Sequence, residues 1–392
     1  MKYRSQLSGV LVVFLFFQAL FIPSGGTAEA ASAPPGLSAE AAALIDVASG
    51  RILYQKNGGK KMRIASLTKT MTAIVAIESA TLKDVVTVPP EAVGVEGSSI
   101  YLKRGEKLTL EELLYGLMLR SGNDAAVAIA HHVGGSLPGF VYMMNEKADL
   151  IGMTHTNFTN PHGLDESNMH YSTAEDMVKL SAYALKNPVF QQIVATKVKN
   201  ISWEGENWDR RLQNKNKMLH LYKGADGVKT GYTKLAKRCL ASSATRDGRQ
   251  LAAITLNAPD DWNDSMSLMD WGFQQFKVTI VVEKGQTVNA SAAISTAAAD
   301  FQLIAMNDFS YPLKAGEESK LRTSVHLLKP QVTEDMMGKH VGFLQVYLER
   351  QLIGSIPLTV QAAVPASNPT KRGLYTFWDL LWHIMAGGMW HA

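Results

Sequence analysis

Apolar positions along the chain change their spacing three times, and each change predicts a different kind of element. Ala42-Ala-Leu-Ile-Asp-Val47 and Arg51-Ile-Leu-Tyr54 flank Ser49-Gly50, a β-hairpin signature. From Ile64 the run I-A-S-L-T-K-T-M-T-A-I-V-A-I-E predicts a helix from Ser66 to about Ser79. Thr109 with Glu112 makes a capping box ahead of Leu110, Leu113, Leu114, Leu117 and Met118, which share one helical face. Further helices are expected from about Asp124 to Val133, from Pro138 to Ile151, and from a Thr173/Asp176 capping box to about Lys186. The texture then becomes strand-like. Gly227 to Thr233, Arg238 to Thr245 and Gln250 to Asn257 read as a meander, with an Asp-Gly turn inside Arg246-Asp-Gly-Arg249. A helix from about Asp260 to Phe276 closes the pattern, so strands at both ends enclose helices. This predicts an α/β domain built on an antiparallel sheet flanked by helices.

Beyond it, Val278 to Thr287 and Val341 to Leu348 read as short strands, and residues 277–364 are expected to form a small all-β domain. Pro365-Ala-Ser-Asn-Pro-Thr370 lies in a linker assigned to 365–373. In the tail, Leu374, Phe377, Trp378, Leu381, Ile384 and Met385 fall on one helical face, with Asp379 and His383 off it. A helix over 374–388 is too short to span a bilayer; it suits a membrane surface, with tryptophans at headgroup depth, and docking on the protein's own core is the alternative. At the other end, Lys2 and Arg4 precede the apolar run Gly9–Ile22, and Ala28-Glu29-Ala30 supplies a small-x-small pattern. Residues 1–30 are therefore read as a cleaved signal peptide and the protein as exported, with 31–276 as the catalytic domain.

Composition removes some classes of function. The 392 residues are 46% hydrophobic and 19% charged, which describes a globular chain with room for two domains. The net charge of +4, from 39 basic and 35 acidic side chains without a basic run, excludes a nucleic-acid partner and leaves a mild attraction to anionic surfaces. The one cysteine, Cys239, cannot form an internal disulfide and is read as a buried, inert thiol. His-Glu-x-x-His and Gly-x-Ser-x-Gly are both absent, and the adjacent pair His131-His132 reads as a helix end.

What remains is Ser66-Leu-Thr-Lys69. Side chains three apart on a helix lie together. A helix start offers free N–H groups for an oxyanion, and its positive end, with burial, disfavours an ammonium. A neutral Lys69 can take the Ser66 proton, which is nucleophilic catalysis without histidine. Alone the triplet is weak, because Ser-x-x-Lys arises by chance about once in a chain this long. It has company. Ser121-Gly-Asn123 lies at a helix junction, where it adds a hydroxyl and an amide. Lys229-Thr-Gly231 lies in a strand, where a lysine and a hydroxyl suit a substrate carboxylate and the glycine allows close backbone approach. In this order the three form the motif set of serine acyl-transfer enzymes that react with penicillin.

With these residues the chain resembles the D-alanyl-D-alanine carboxypeptidases, the low-molecular-mass penicillin-binding proteins. Gly97-Ser-Ser-Ile-Tyr-Leu102, Asn160-Pro-His-Gly-Leu164, His170-Tyr-Ser-Thr-Ala174 and Asp226-Gly-Val-Lys-Thr-Gly-Tyr-Thr233 extend the likeness over about residues 38–275. The resemblance implies a DD-peptidase/β-lactamase-like domain followed by the β domain and the amphipathic helix. It implies a peptidoglycan stem peptide ending in D-Ala-D-Ala as substrate and β-lactams as acylating ligands. The implied location is the outer face of the cytoplasmic membrane or the cell wall, and no cofactor or metal is implied. By the same resemblance Ser66 is the nucleophile, Lys69 the base, and Ser121 the proton relay to the departing D-alanine. Asn123 orients Lys69 and the substrate amide, Lys229 and Thr230 of the Lys229-Thr-Gly231 triplet hold the terminal carboxylate, and the N–H groups of Ser66 and Tyr232 form the oxyanion hole.

Two places depart from the family pattern. Arg63-Ile64 stands where a proline is common, and Ala236-Lys-Arg-Cys239 where a glycine is common; Lys237 and Arg238 are read as surface. A serine β-lactamase shares all three triplets, and Glu166 is present, but in a loop of the carboxypeptidase kind. A non-catalytic peptidoglycan-binding scaffold is the other alternative, and retention of every reactive side chain argues against it.

Overall fold

The computed structural model describes residues 33–288, 301–329 and 332–362. The expected signal peptide (1–30), linker (365–373) and amphipathic helix (374–388) lie outside the described residues.

The centre is a five-stranded antiparallel sheet in the order β2–β1–β9–β8–β7. Its strands are β1 (Ala41–Asp46), β2 (Ile52–Lys56), β7 (Ala225–Thr233), β8 (Lys237–Arg246) and β9 (Arg249–Leu256). Two antiparallel ribbons lie between them in sequence: β3 (Val85–Thr87) with β4 (Lys107–Thr109), and β5 (Val198–Ile201) with β6 (Arg210–Gln213). Every residue of β1 is buried, because both faces of the sheet are covered. Its alternation decides which side chain enters which layer. Ala41, Ala43 and Ile45 join the helical core, whereas Ala42 and Leu44 face a second core.

The helical layer contains α1 (Lys69–Ser79), α2 (Leu110–Leu119), α3 (Asn123–Gly134), α4 (Leu137–Ile151), α5 (Ala174–Ala184) and α6 (Pro188–Ala195); a single turn, α7 (Met218–Leu221), leads to β7. On the opposite face α8 (Asp261–Gln275) contributes Leu268, Met269 and Trp271. α1 is buried continuously from Lys69 to Ala76 and forms the centre of the helical layer. Burying a Leu, Ile or Met there is worth roughly 1.5–3 kcal/mol each. Thr109 and Glu112 form the full reciprocal box expected at the start of α2. Thr173 accepts from the Asp176 N–H, but the Asp176 carboxylate turns away to take the His155 N–H and the Thr156 hydroxyl, so only half of that box forms.

After α8, β10 (Lys277–Val282) pairs with β13 (Phe309–Leu313). A second five-stranded sheet runs β11 (Thr287–Val288), β12 (Phe301–Ala305), β16 (Gln351–Ala362), β15 (His340–Leu348), β14 (Leu321–Leu327) over a core that includes Leu303, Val346 and Leu358. Arg51, beside the β1–β2 turn, ties this region to the first sheet. It bonds Glu317 at 2.6 Å and the Pro312 carbonyl, with its guanidinium over the rings of Phe276 and Tyr311.

Candidate active site

The expected helix start is displaced by one turn. Ala65–Thr68 form a 3₁₀ turn and the α-helix begins only at Lys69. Ala65 has φ of +48°, a left-handed conformation that costs a non-glycine residue about 1–3 kcal/mol. Close packing imposes it. A Cβ on Gly163 would stand 1.9 Å from the Ala65 carbonyl oxygen, and one on Gly231 would stand 3.2 Å from the Ser66 nitrogen. The nucleophile turn is thus held between the 160–164 loop, where only a glycine fits, and β7, where a Cβ at position 231 would be tight against the turn.

Ser66 is half-buried, whereas Lys69 is 0% exposed. Its Nζ lies 2.6 Å from Asn123 Oδ1, 2.7 Å from the His162 carbonyl oxygen and 3.0 Å from Ser66 Oγ. Burial pushes the Lys69 amine well below its ordinary range, and the charge of Lys229, then that of Lys215, pushes the same way; Asp124 opposes them. A neutral amine has two N–H bonds and one lone pair. The two carbonyl oxygens can only accept, so they take both hydrogens and leave the lone pair for the Ser66 hydroxyl.

Asn123 is fixed for this task from the other side. Its Nδ2 donates to the Glu96 carbonyl at 2.5 Å, which turns Oδ1 toward Lys69. Its own N–H donates to the Ser98 carbonyl. Asp124 ties the 99–102 loop to the start of α3 by accepting from Ser99 Oγ and from the N–H groups of Ile100 and Leu102. Ser121, left-handed at φ of +63° and buried, sits between α2 and α3. The hydrogen bonds of Lys69 go to Ser66, Asn123 and His162 rather than to Ser121.

On β7, Lys229 is 1% exposed, and its Nζ donates to the Thr230 carbonyl at 2.7 Å. Burial, with the Lys215 charge second, lowers it to about 7. Tyr232 is 64% exposed at the edge of the same strand. Arg238 turns away to Asp261, at 2.6 Å, and Trp262, as its surface assignment requires; Lys237, the first residue of β8, is exposed. Cys239 is fully buried, with its thiol pushed up to about 12 by burial, so it offers no thiolate. Glu166 meets Asn160 at 3.5 Å and His162 at 3.9 Å rather than Ser66 or Lys69. His132 lies 3.6 Å from Asp84, and no group of three metal-ligating side chains occurs among the described residues.

Sequence reasoning missed three participants. Lys215 places its Nζ 3.0 Å from Ser98 Oγ and its charge on both buried lysines. Its signal was Asn214-Lys-Asn216, two Asx turns in succession: Asn214 Oδ1 accepts from Asn216 N and Asn216 Oδ1 from Met218 N. Arg63, noted only as a departure, bonds Asp165 at 3.2 Å and Asn168 at 2.5 Å, and so holds the 165–168 loop. His170, within His170-Tyr-Ser-Thr-Ala174, lies 2.8 Å from Thr68 Oγ1, a contact that no local spacing announces.

Comparison with known proteins agrees with this geometry. Residues 27–260 match the D-alanyl-D-alanine carboxypeptidase family, peptidase S11, and residues 276–366 match the penicillin-binding protein 5 C-terminal domain. The chain is 31% identical over 351 residues to the D-alanyl-D-alanine carboxypeptidase DacF of Bacillus subtilis, covering 86% of this chain and 88% of that one. It is 32% identical over 399 residues to DacC of Escherichia coli, covering 97% and 96%. Penicillin-binding protein 5 of Haemophilus influenzae superposes with a TM-score of 0.70 at 29% identity, over 84% of this chain and 98% of that structure. With the Ser66–Lys69 pair, the Ser121-Gly-Asn123 junction and Lys229-Thr-Gly231 gathered at one site, the chain belongs to the D-alanyl-D-alanine carboxypeptidase family of serine penicillin-binding enzymes.

Proposed function

We propose that Ser66 attacks the carbonyl of the penultimate D-alanine of a peptidoglycan stem pentapeptide and that the chain is a serine D-Ala-D-Ala carboxypeptidase acting through an acyl-enzyme. The observation that carries this is the placement of Lys69 Nζ, 3.0 Å from Ser66 Oγ and bonded otherwise only to two oxygens that can only accept, so that a neutral amine gives them both hydrogens and keeps its lone pair for Ser66. Lys69 takes the hydroxyl proton as the oxygen bonds to carbon. The N–H groups of Ser66 and Tyr232 receive the oxyanion. The C–N bond breaks, and the proton passes through Ser121 to the departing amine of D-alanine. Asn123 orients Lys69 and the substrate amide. Lys229 and Thr230 hold the terminal carboxylate beside Gly231, and Lys215 adds a second cation to that end of the site. Water then attacks the ester and frees Ser66, with Lys69 again the proton acceptor. β-Lactams enter the same sequence and stop at the acyl-enzyme.

The test follows product and adduct together. A pentapeptide ending in D-Ala-D-Ala is expected to lose one free D-alanine per molecule, while penicillin leaves a long-lived adduct that peptide mapping places on Ser66. Rapid turnover of penicillin without an adduct would make the chain a β-lactamase. Binding of the peptide without release of D-alanine would make it a scaffold.

We further propose a catalytic domain over 31–276 and a β domain over 277–364. Residues 1–30 would serve as an export signal, and 374–388 as a helix that rests on the membrane at the outer face of the cytoplasmic membrane. The mature protein should float with anionic liposomes and lose that property without residues 373–392. Equal flotation of both forms would remove the anchor.

A further inference from the structure

The peptide unit between Ala65 and Ser66 is planar, so its carbonyl and its N–H point in opposite directions. Whatever fixes the Ala65 carbonyl therefore aims the Ser66 N–H, the group assigned above to the oxyanion hole. Two contacts fix it. Gly163 packs against the carbonyl so closely that a Cβ would overlap it, and Thr68 Oγ1 donates to the same oxygen at 2.9 Å. Thr68 can do so only if its hydroxyl hydrogen is not drawn elsewhere, and His170 sets that. The Thr159 N–H donates to His170 Nδ1 at 3.1 Å, so the proton of the neutral ring sits on Nε2. Nε2 then donates to Thr68 Oγ1, 2.8 Å away, and the Thr68 hydrogen is left for Ala65.

We infer that His170, acting through Thr68, is a positioning residue that aims the Ser66 N–H at the developing oxyanion. Its surroundings keep the ring in the required form. His170 is 3% exposed, the edge of its ring packs with Phe158 at 5.8 Å, and burial lowers its pKa to about 4. The ionisable groups that bear on it are Asp165, which favours protonation, and Arg63 and, when protonated, Lys69, which oppose it; His162 is the other titratable ring nearby. A cationic ring would carry hydrogen on both nitrogens and confront the Thr159 N–H donor. The network also gives the strained φ at Ala65 a purpose, since relaxing Ala65 would turn the peptide and move the N–H.

The inference rests on the reading of Ser66 as nucleophile with its own N–H as oxyanion donor, and the experiment separates the two. Penicillin acylation, peptide kcat and KM, and inhibition by a boronic acid that forms a tetrahedral adduct are measured on wild type, His170→Gln, Thr68→Val, Thr68→Ser and Ser66→Ala. Loss of one oxyanion donor costs about 10²–10³-fold in kcat, and misaiming costs part of that. His170→Gln and Thr68→Val are expected to lower kcat and the acylation rate about 10- to 100-fold. KM should stay within about two-fold, and boronate affinity should fall in step with kcat. Thr68→Ser should recover about ten-fold over Thr68→Val, and a double variant combining His170→Gln with Thr68→Val should be no worse than the less active of the two single variants. Thr68→Val as active as Thr68→Ser would overturn the inference even if His170→Gln does not fold. Losses that follow melting temperature and raise KM equally would overturn it too. Activity surviving in Ser66→Ala would instead remove the reading beneath it.

Discussion

Replacing Ser66 with alanine should abolish the penicillin adduct and lower D-alanine release by at least about 10⁴-fold, the scale on which loss of an activated nucleophile is felt. No neighbour can replace it. Ser121 is buried at the site but is not among the hydrogen-bond partners of the Lys69 amine, and Cys239 is a fully buried thiol pushed up to about 12. The variant should fold. Ser66 is half-buried in its turn, and Lys69 keeps its bonds to Asn123 at 2.6 Å and to His162 at 2.7 Å, so a stability change within about 1 kcal/mol is expected. Intact mass after penicillin, a D-alanine assay and a melting curve measure the three quantities. An adduct on the alanine variant would place the nucleophile elsewhere.

The elements that were legible from sequence are those whose local signals and tertiary setting agree. The β1–β2 hairpin forms because an apolar run meets a Ser-Gly turn, and α2 starts at Thr109 because both halves of its box close locally. Prediction slipped where a distant contact overrides the local rule. Sequence periodicity starts a helix at Ser66, but Gly163 and Gly231 press on the turn before it, force Ala65 to φ of +48° and delay the helix to Lys69. Asp176 leaves its box half made because His155 and Thr156, about twenty residues earlier, use its carboxylate. α6 was passed over although Asn187-Pro188 is a helix start, with the Asn187 side chain accepting from Val189 and Phe190.

The site divides along the same line. The Ser-x-x-Lys, Ser-x-Asn and Lys-Thr-Gly triplets carry their spacing in the chain, so they could be found from it. Lys215 and His170 act through the fold. One is a lysine among other cations, Arg210, Arg211 and Lys217, in a stretch that β6 delivers to the rim. The other is a histidine whose task depends on which of its nitrogens the Thr159 N–H reaches. Neither role is written in a spacing.

Lys69→Arg carries the second large effect. Arginine keeps its proton at any accessible pH. The variant therefore retains donors for Asn123 and the His162 carbonyl but has no lone pair for Ser66, and penicillin acylation should fall about 10³-fold. Lys69→Met, neutral and of similar length, should lose as much, which separates loss of the base from burial of a charge. Acylation of either variant within ten-fold of wild type, read from adduct mass against time, would assign the proton to another acceptor. The pH profile of the wild type gives the same argument a sign. The Lys229 charge lowers Lys69, whereas Lys229 itself answers to burial and Lys215, so of the pair Lys69 gives up its proton first. The competent form has Lys69 neutral and Lys229 charged. kcat/KM for a carboxylate-bearing peptide should then rise as Lys69 deprotonates and fall above about 7, where the empty site begins to lose the Lys229 charge. Lys215→Gln removes a cation that lowers both amines, so both limbs should move to higher pH. An alkaline limb that stays in place would take Lys215 out of the electrostatics of the site and leave burial alone to keep Lys229 near neutrality.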